Sequence, residues 1–360
     1  MTPNRKSPAQ KELPETKPLL AVLAGRKQTP PPWWLMRQAG RYLPEYHKVR
    51  GQAASFVEFC LNPDLATEAT LQPVRRFGMD AAILFSDIPM VPLGLGQKLW
   101  YVDGEGPRLD ALRDSAGVQQ LRLEPFLERL SPIFETVRRV RAALPRTVAL
   151  IGFAGSPWTI AAYMVEGGSS KEFIGARRWA LADPEGFGRL IDVLVKATVS
   201  YLDRQIQSGA EAVQLFDSWA GLLPELQFRR WVIEPTRQIV TELRARHPHV
   251  PIIGFPRGAG LLYGDYATET QVDALCLDTS LPLNWAMAHL PAHLPIQGNL
   301  DPVALLAGGE ALRGAVQRII ELCSTRPHVF NLGHGILPGT PIDHVAELAQ
   351  LIRAAPATVS

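Results

Sequence analysis

Pro32-Trp33-Trp34-Leu35-Met36-Arg37-Gln38-Ala39-Gly40-Arg41-Tyr42-Leu43-Pro44-Glu45-Tyr46 opens as an unbroken apolar run and breaks into two arginines separated by Gln38, Ala39 and Gly40. Continuous apolarity, rather than alternation, is the pattern of a strand covered on both faces. The same rhythm recurs along the chain: a short apolar run, a polar or glycine-rich end, then a helical segment. Runs at 33–36, 81–85, 148–153, 212–216, 251–255, 274–277, 295–297 and 328–332 make eight such units. Helical segments are expected at 56–76, 118–143, 184–207, 227–246 and 302–323, with a last one at 343–354 and short links after the fifth and sixth runs. Eight strand–helix units predict an α/β fold, a single (β/α)8 barrel with an outer ring of helices. The competing fold, an open doubly wound sheet, calls for a Gly-rich first turn, and none is present. The barrel is assigned to 17–360 and a frayed tail to 1–16, with a short helix at 19–24 stopped by Gly25. The longest irregular stretch, 89–110, carries Gly94, Gly96, Gly104 and Gly106. It reads either as a flap near the barrel mouth or as surface elaboration.

Bulk properties exclude several classes. An apolar fraction of 46% with 20% charged residues is that of a globular protein with a sizeable core. A net charge of +2 gives no bulk field for a nucleic acid or a membrane surface, so an anionic ligand must be caught by local charge. Three cysteines, Cys60, Cys276 and Cys323, make neither a disulfide framework nor a zinc ribbon and fit a reducing, cytoplasmic compartment. The first seventeen residues lack the apolar core of a signal peptide. No apolar run reaches the roughly eighteen residues that a membrane span needs.

Barrel enzymes build their sites where strands end. Those ends carry Arg37 and Arg41; Ser86 and Asp87; Gly152, Gly155 and Ser156 with Tyr163 in the next helix; Asp217 and Ser218; Arg257; Asp278; Asn299 and Asp301; and Asn331-Leu332-Gly333-His334-Gly335. Two guanidinium forks beside small residues suit a carboxylate, which they grip in a bidentate way that lysine does not match. On the residues alone, the pair could equally form surface ion pairs. Asp87 follows five apolar residues, so its carboxylate must either be paired with a barrel arginine or face a cavity. His334, between two glycines, is either a structural histidine or one that a ligand can approach closely. Tyr163 alone reads as a helix core residue and Ser218 as a cap. Gly258-Ala259-Gly260 is followed by Tyr263, which breaks the dinucleotide pattern. There is no phosphate-binding Walker loop, no Cys and His set with zinc spacing, and no lysine at these strand ends to anchor pyridoxal phosphate.

The stretch from Trp34 to Tyr46 resembles the N-terminal signature of the uroporphyrinogen decarboxylase family. Phe85-Ser86-Asp87-Ile88, Phe153-Ala154-Gly155-Ser156-Pro157-Trp158-Thr159 with Tyr163-Met164, Leu215-Phe216-Asp217-Ser218-Trp219, and Asn331 through Pro338 extend the resemblance over nearly the whole chain. It implies a cofactor-free, metal-free decarboxylase whose small-molecule substrate is uroporphyrinogen, a cyclic tetrapyrrole with eight carboxylates, and whose working form is a homodimer with adjoining clefts. It implies substrate contacts at Arg37, Gln38, Ala39, Gly40, Arg41, Asp87, Tyr163, Ser218 and His334. Asp87 would sit at the centre of the macrocycle, and Arg37 is a second catalytic candidate whose high pKa suits it poorly as a general acid. Cys276 and Thr279 depart from the family, which favours a small residue and a tryptophan there. Two rival readings are a methyltransferase on a similar barrel, which requires a zinc-binding His-x-Cys…Cys triad, and a non-enzymatic tetrapyrrole carrier, which needs no Asp87.

Overall fold

The computed structural model describes residues 17–102 and 104–355; the tail expected at 1–16 lies outside the described residues. In chain order the strands are β1 (Ala81–Ile83), β2 (Leu99–Val102), β3 (Gly106–Leu109), β4 (Ala149–Gly155), β5 (Ala212–Asp217), β6 (Ile252–Pro256), β7 (Ala274–Cys276), β8 (Ile296–Gln297) and β9 (His328–Val329). Seven of them form one parallel sheet in the order β1-β4-β5-β6-β7-β8-β9, while β2 and β3 pair as an antiparallel hairpin.

The run at 33–36 closes this sheet, though as a single bridge rather than a full strand. Trp33 pairs in parallel with Phe330 beyond β9. Phe330 N–H donates to the Pro32 carbonyl at 2.8 Å, and on the other side Asp80 N–H donates to the Trp33 carbonyl at 2.9 Å. The segment Pro32-Trp33-Trp34 is thereby hydrogen-bonded to both edges of the sheet, which completes an eight-unit barrel. The pairing stops early because the chain turns at Arg37 to enter the mouth.

The barrel interior is a core distinct from the one under the helices. Trp34, Met36, Ile151, Ile253, Phe255, Cys276 and Val329 pack there with Ala81, Ala149, Ala212 and Ala274. The four alanines are the first residues of β1, β4, β5 and β7, so they form a small-residue layer at the barrel's lower end. The helix Pro18–Leu23 fills the space they leave, burying Leu19, Val22 and Leu23 in the interior. Cys276, a departure from the family, is simply part of this packing. Trp34 Nε1 donates to Gln297 Oε1 at 2.9 Å and Gln297 Nε2 to Gln214 Oε1 at 3.0 Å, which ties three strands through polar side chains.

The helix at 184–207 is Pro184–Gln207 as expected, while others are cut where local chemistry demands it. The segment 56–76 breaks into Phe56–Leu61 and Pro63–Phe77, because Pro63 has no N–H and Asn62 Oδ1 caps the second helix by accepting from Asp64 and Leu65 N–H. The segment 302–323 breaks at Gly308, φ 68°. Within 227–246 a π turn, Arg229–Ile233, precedes Pro235, which cannot donate to the preceding turn. The segment 118–143 is helical only as Phe126–Arg129 and Ser131–Ala143 beyond a short turn at Ser115–Val118. Helices Pro44–Arg50 and Ile174–Ala182 have no counterpart in the sequence reading. The stretch 89–110 is not irregular: a helical turn, Met90–Gly94, leads into the β2–β3 hairpin.

Candidate active site

The first strand-end is held tightly before it reaches the mouth. Met36 N–H donates to Asn331 Oδ1 at 3.0 Å, and Ile336 N–H donates to the Met36 carbonyl at 2.9 Å. The chain then reverses through Arg37, whose φ of 61° is left-handed and costs a non-glycine residue roughly 1–2 kcal/mol. Such strain is kept where surrounding contacts enforce it. Here Gln38 does so: its Oε1 accepts Leu35 N–H at 3.0 Å and its Nε2 donates to the Ala81 carbonyl at 3.1 Å. The Gln38 side chain is therefore buried and structural, and the ligand contact implied for it is not available to its amide. The N–H groups of Ala39, Gly40 and Arg41 make no hydrogen bond among the described residues. The guanidinium groups of Arg37 and Arg41, both residues exposed, flank these free donors in the chain.

Asp87 follows β1 at the mouth and is half-buried. Its Oδ1 accepts Ile88 N–H at 2.8 Å, and its Oδ2 accepts the Tyr101 hydroxyl at 2.6 Å. Tyr101 comes from β2, so the hairpin reaches over the strand end. Its ring lies 4.6 Å from Phe56, beside the Phe59–Phe85 pair at 4.5 Å. This apolar wall strips water from the carboxylate. Burial pushes the Asp87 carboxyl above its ordinary value, and the bonds from Tyr101 and Ile88 and the charge of Arg37 oppose that rise. Among the described residues Asp87 has no salt bridge, so the ion-pair reading of this residue does not hold.

A cleft of about 310 Å³ opens on the other side of Arg37, lined by Ser218, Trp219, Arg257, Asp278, Thr279 and His334 among others. Gly335 allows Arg37 to lie against this wall: a Cβ there would stand 2.4 Å from Arg37 Cδ. Gly333 does the same for Thr279, whose N would be 2.3 Å from an added Cβ. Burial, then the charges of Arg257 and Arg37, push His334 down to about 3, so its imidazole is neutral at physiological pH. The Tyr163 ring stands edge-on to Trp219 at 6.3 Å and to Phe173 at 5.7 Å, and its hydroxyl senses both Asp87 and Arg37. The loop carrying Ser218 is set from below. Thr159 Oγ1 donates to Asp217 Oδ1 at 2.5 Å and accepts Trp219 N–H at 3.2 Å.

Arg37 thus connects the two halves, since its charge bears on Asp87, Tyr163 and His334 alike. Asp87, Arg37, Tyr163, Ser218 and His334 share one mouth. A larger groove, about 560 Å³, lies between the helices Pro44–Arg50 and Pro63–Phe77. Four of its charges are already paired, Arg76 with Glu45 at 2.6 Å and Arg75 with Glu68, and its lining residues all belong to the two helices rather than to a strand end. Tyr101 and the Arg257–Asp278 wall are absent from the residues chosen on sequence. Arg257 and Asp278 were visible as strand-end residues, whereas nothing in Leu99-Trp100-Tyr101-Val102 tells which side chain turns toward the mouth.

A family model described as Uroporphyrinogen decarboxylase (URO-D) matches residues 14–355. A protein named uroporphyrinogen decarboxylase from Rhodospirillum rubrum is 52% identical over 338 residues, covering 94% of this chain and 97% of that protein. Another of that name from Rhizorhabdus wittichii is 56% identical over 339 residues, covering 94% and 98%. Among solved structures, a methyltransferase from Methanosarcina mazei superposes with a TM-score of 0.78 at 18% identity, over 93% of this chain and 96% of that one. That likeness concerns the barrel fold alone.

Proposed function

The chain belongs to the uroporphyrinogen decarboxylase family, and on that premise we propose that it removes CO2 from the four acetate side chains of uroporphyrinogen III to give coproporphyrinogen III. The observation that carries the reading is a desolvated carboxylate, Asp87, that feels the charge of Arg37, a guanidinium without a hydrogen bond or salt bridge among the described residues.

Decarboxylation leaves an electron pair that needs a sink. A pyrrole supplies one itself when a ring carbon is protonated, so we propose that no added cofactor takes part. The C–C bonding pair then moves into the cationic ring as CO2 departs. The exocyclic methylene that remains takes up a proton to become a methyl group, and the ring releases the proton it had gained. In this account Asp87 accepts hydrogen bonds from the pyrrole N–H groups and offsets the positive charge, an effect that is stronger where water is excluded. Arg37 and Arg41, with the free N–H groups of Ala39 and Gly40, hold peripheral carboxylates. Ser218, Tyr163 and the neutral His334 complete the cradle. The methyltransferase alternative lacks support in the residues: Cys276 packs inside the barrel, Cys323 ends the helix Gly309–Cys323, and no three His, Cys, Asp or Glu among the described residues are grouped to hold a metal ion.

The same reading makes the active form a homodimer working in a reducing cytoplasm. Leu226, Leu261 and Val303, 76%, 75% and 57% exposed, lie in the connections that follow β5, β6 and β8, and such exposed apolar side chains suit contact with a second copy. All three cysteines are buried and unpaired. Sedimentation of a monomer at micromolar concentration would contradict the dimer. The activity is tested by incubating the purified chain anaerobically with uroporphyrinogen III: release of CO2 and coproporphyrinogen is expected. Tight binding without CO2 would favour a carrier.

A further inference from the structure

β6 ends at Pro256, and the next residue is fixed by three neighbouring segments. Arg257 N–H donates to the Asp217 carbonyl at 3.1 Å, and the Arg257 carbonyl accepts Gly221 N–H at 3.0 Å. Gly258 N–H donates to Asp278 Oδ2 at 2.7 Å. The two glycines lie backbone to backbone, since a Cβ on Gly221 would stand 2.4 Å from the Gly258 carbonyl oxygen and Gly258 itself has φ 77°. The ends of β5, β6 and β7 therefore converge to hold one half-buried arginine on the wall of the cleft.

That guanidinium has no counter-ion among the described residues. Among the described residues it forms neither a salt bridge nor a hydrogen bond. The acid that shares the cleft, Asp278, is already saturated. Its Oδ2 accepts from Gly258 N–H and the Tyr263 hydroxyl, and its Oδ1 accepts from the N–H and hydroxyl of Ser280. Burial raises the Asp278 carboxyl, yet these hydrogen bonds outweigh it and hold the group below the ordinary carboxylate range, so it stays ionised as the clamp of the turn. His334 on the same wall is neutral and cannot compensate Arg257 in either direction. A half-buried guanidinium held by its backbone and without a partner among the described residues is placed to take a ligand carboxylate through charge-assisted hydrogen bonds.

We propose that Arg257 is a further specificity-determining residue of this cleft, binding one peripheral carboxylate of the macrocycle on the Ser218–His334 side while Arg37 serves the side nearer Asp87. The inference rests on the decarboxylase reading above and deepens it. The carboxylate belongs either to a propionate, which survives the reaction, or to an acetate, which does not.

The test is steady-state CO2 release from uroporphyrinogen III by the full chain and by Arg257→Gln and Arg257→Lys. Losing one charge-assisted contact is expected to raise KM on the order of tenfold or more in Arg257→Gln, with kcat within about threefold, and Arg257→Lys should recover much of the loss. Affinity for coproporphyrinogen III, measured by fluorescence quenching, separates the two sources. An equal weakening assigns a propionate, and a smaller one assigns an acetate. An unchanged KM in Arg257→Gln beside an active wild type overturns the subsite and leaves the decarboxylase reading standing. So does a fall in melting temperature and kcat without a change in KM, which would mark Arg257 as structural. A wild type that releases no CO2 overturns the decarboxylase reading and this subsite together.

Discussion

Tyr101 donates its hydroxyl to a carboxylate that burial is pushing toward neutrality, so the state of Asp87 depends on a residue from outside the barrel strands. The bond holds the Asp87 pKa down. Tyr101→Phe removes it and should move the acid limb of the kcat/KM profile to higher pH, with little change on the alkaline side; an unmoved limb would separate Tyr101 from the site's electrostatics. For Asp87 the sequence left two settings open, an ion pair or a cavity, because a carboxylate after five apolar residues has few places to go, and the fold shows no salt bridge to it among the described residues. Arg37 and Arg41 were open to an ion-pair reading on the residues alone and stood out through the resemblance of the whole stretch from Trp34 to Tyr46. Tyr101 was hidden because hairpin alternation fixes two faces without saying which one meets the mouth. Where the Gln38 side chain goes was not legible either: beside the left-handed turn at Arg37 its amide is bonded to Leu35 N–H and the Ala81 carbonyl, a long-range partner that the motif does not reveal.

The mouth is shaped by elements whose ends are pinned, and the end of β5 is the clearest case. Asp217 points away from the barrel interior to the helix Pro157–Glu166, where Thr159 bridges it to Trp219 N–H. Burial lifts this carboxyl from 3.8 to about 7, and its Oδ2 has no partner. The folded chain therefore keeps a proton that the unfolded chain releases between about pH 4 and 7. The stability this contributes is complete below that window and is lost as pH rises through it. Asp217→Asn should remove the loss, so the urea midpoint of wild type, relative to the variant, should fall between about pH 4 and 7 and level off above that window. Parallel curves would contradict the assignment. Element boundaries were only partly readable. Continuous helical patterning located Pro184–Gln207, whereas the breaks at Asn62 and Gly308 depend on a cap and a left-handed glycine that periodicity does not register.

The eight apolar runs were enough to read the barrel because each strand is covered on both faces, and that requirement survives even where pairing shrinks to the Trp33 bridge. The role of the N-terminal helix was not readable in the same way. Its plug site is built from alanines at 81, 149, 212 and 274, scattered over nearly two hundred residues, and they become one layer only when the ring closes. Leu19→Ala should cost about 2–5 kcal/mol in urea unfolding, the range for emptying a buried leucine site; a loss under about 1 kcal/mol would mean that the barrel floor stands without its plug. Ring closure also brings Arg37, carried by the closing segment, level with Asp87 beyond β1 and His334 beyond β9. The account as a whole requires those three strand ends to act on one macrocycle, with the acid at its hub. CO2 release by Asp87→Asn at saturating uroporphyrinogen III tests this most directly. The account predicts a fall in kcat on the order of a hundredfold or more with an unchanged melting temperature, and turnover close to wild type would contradict it.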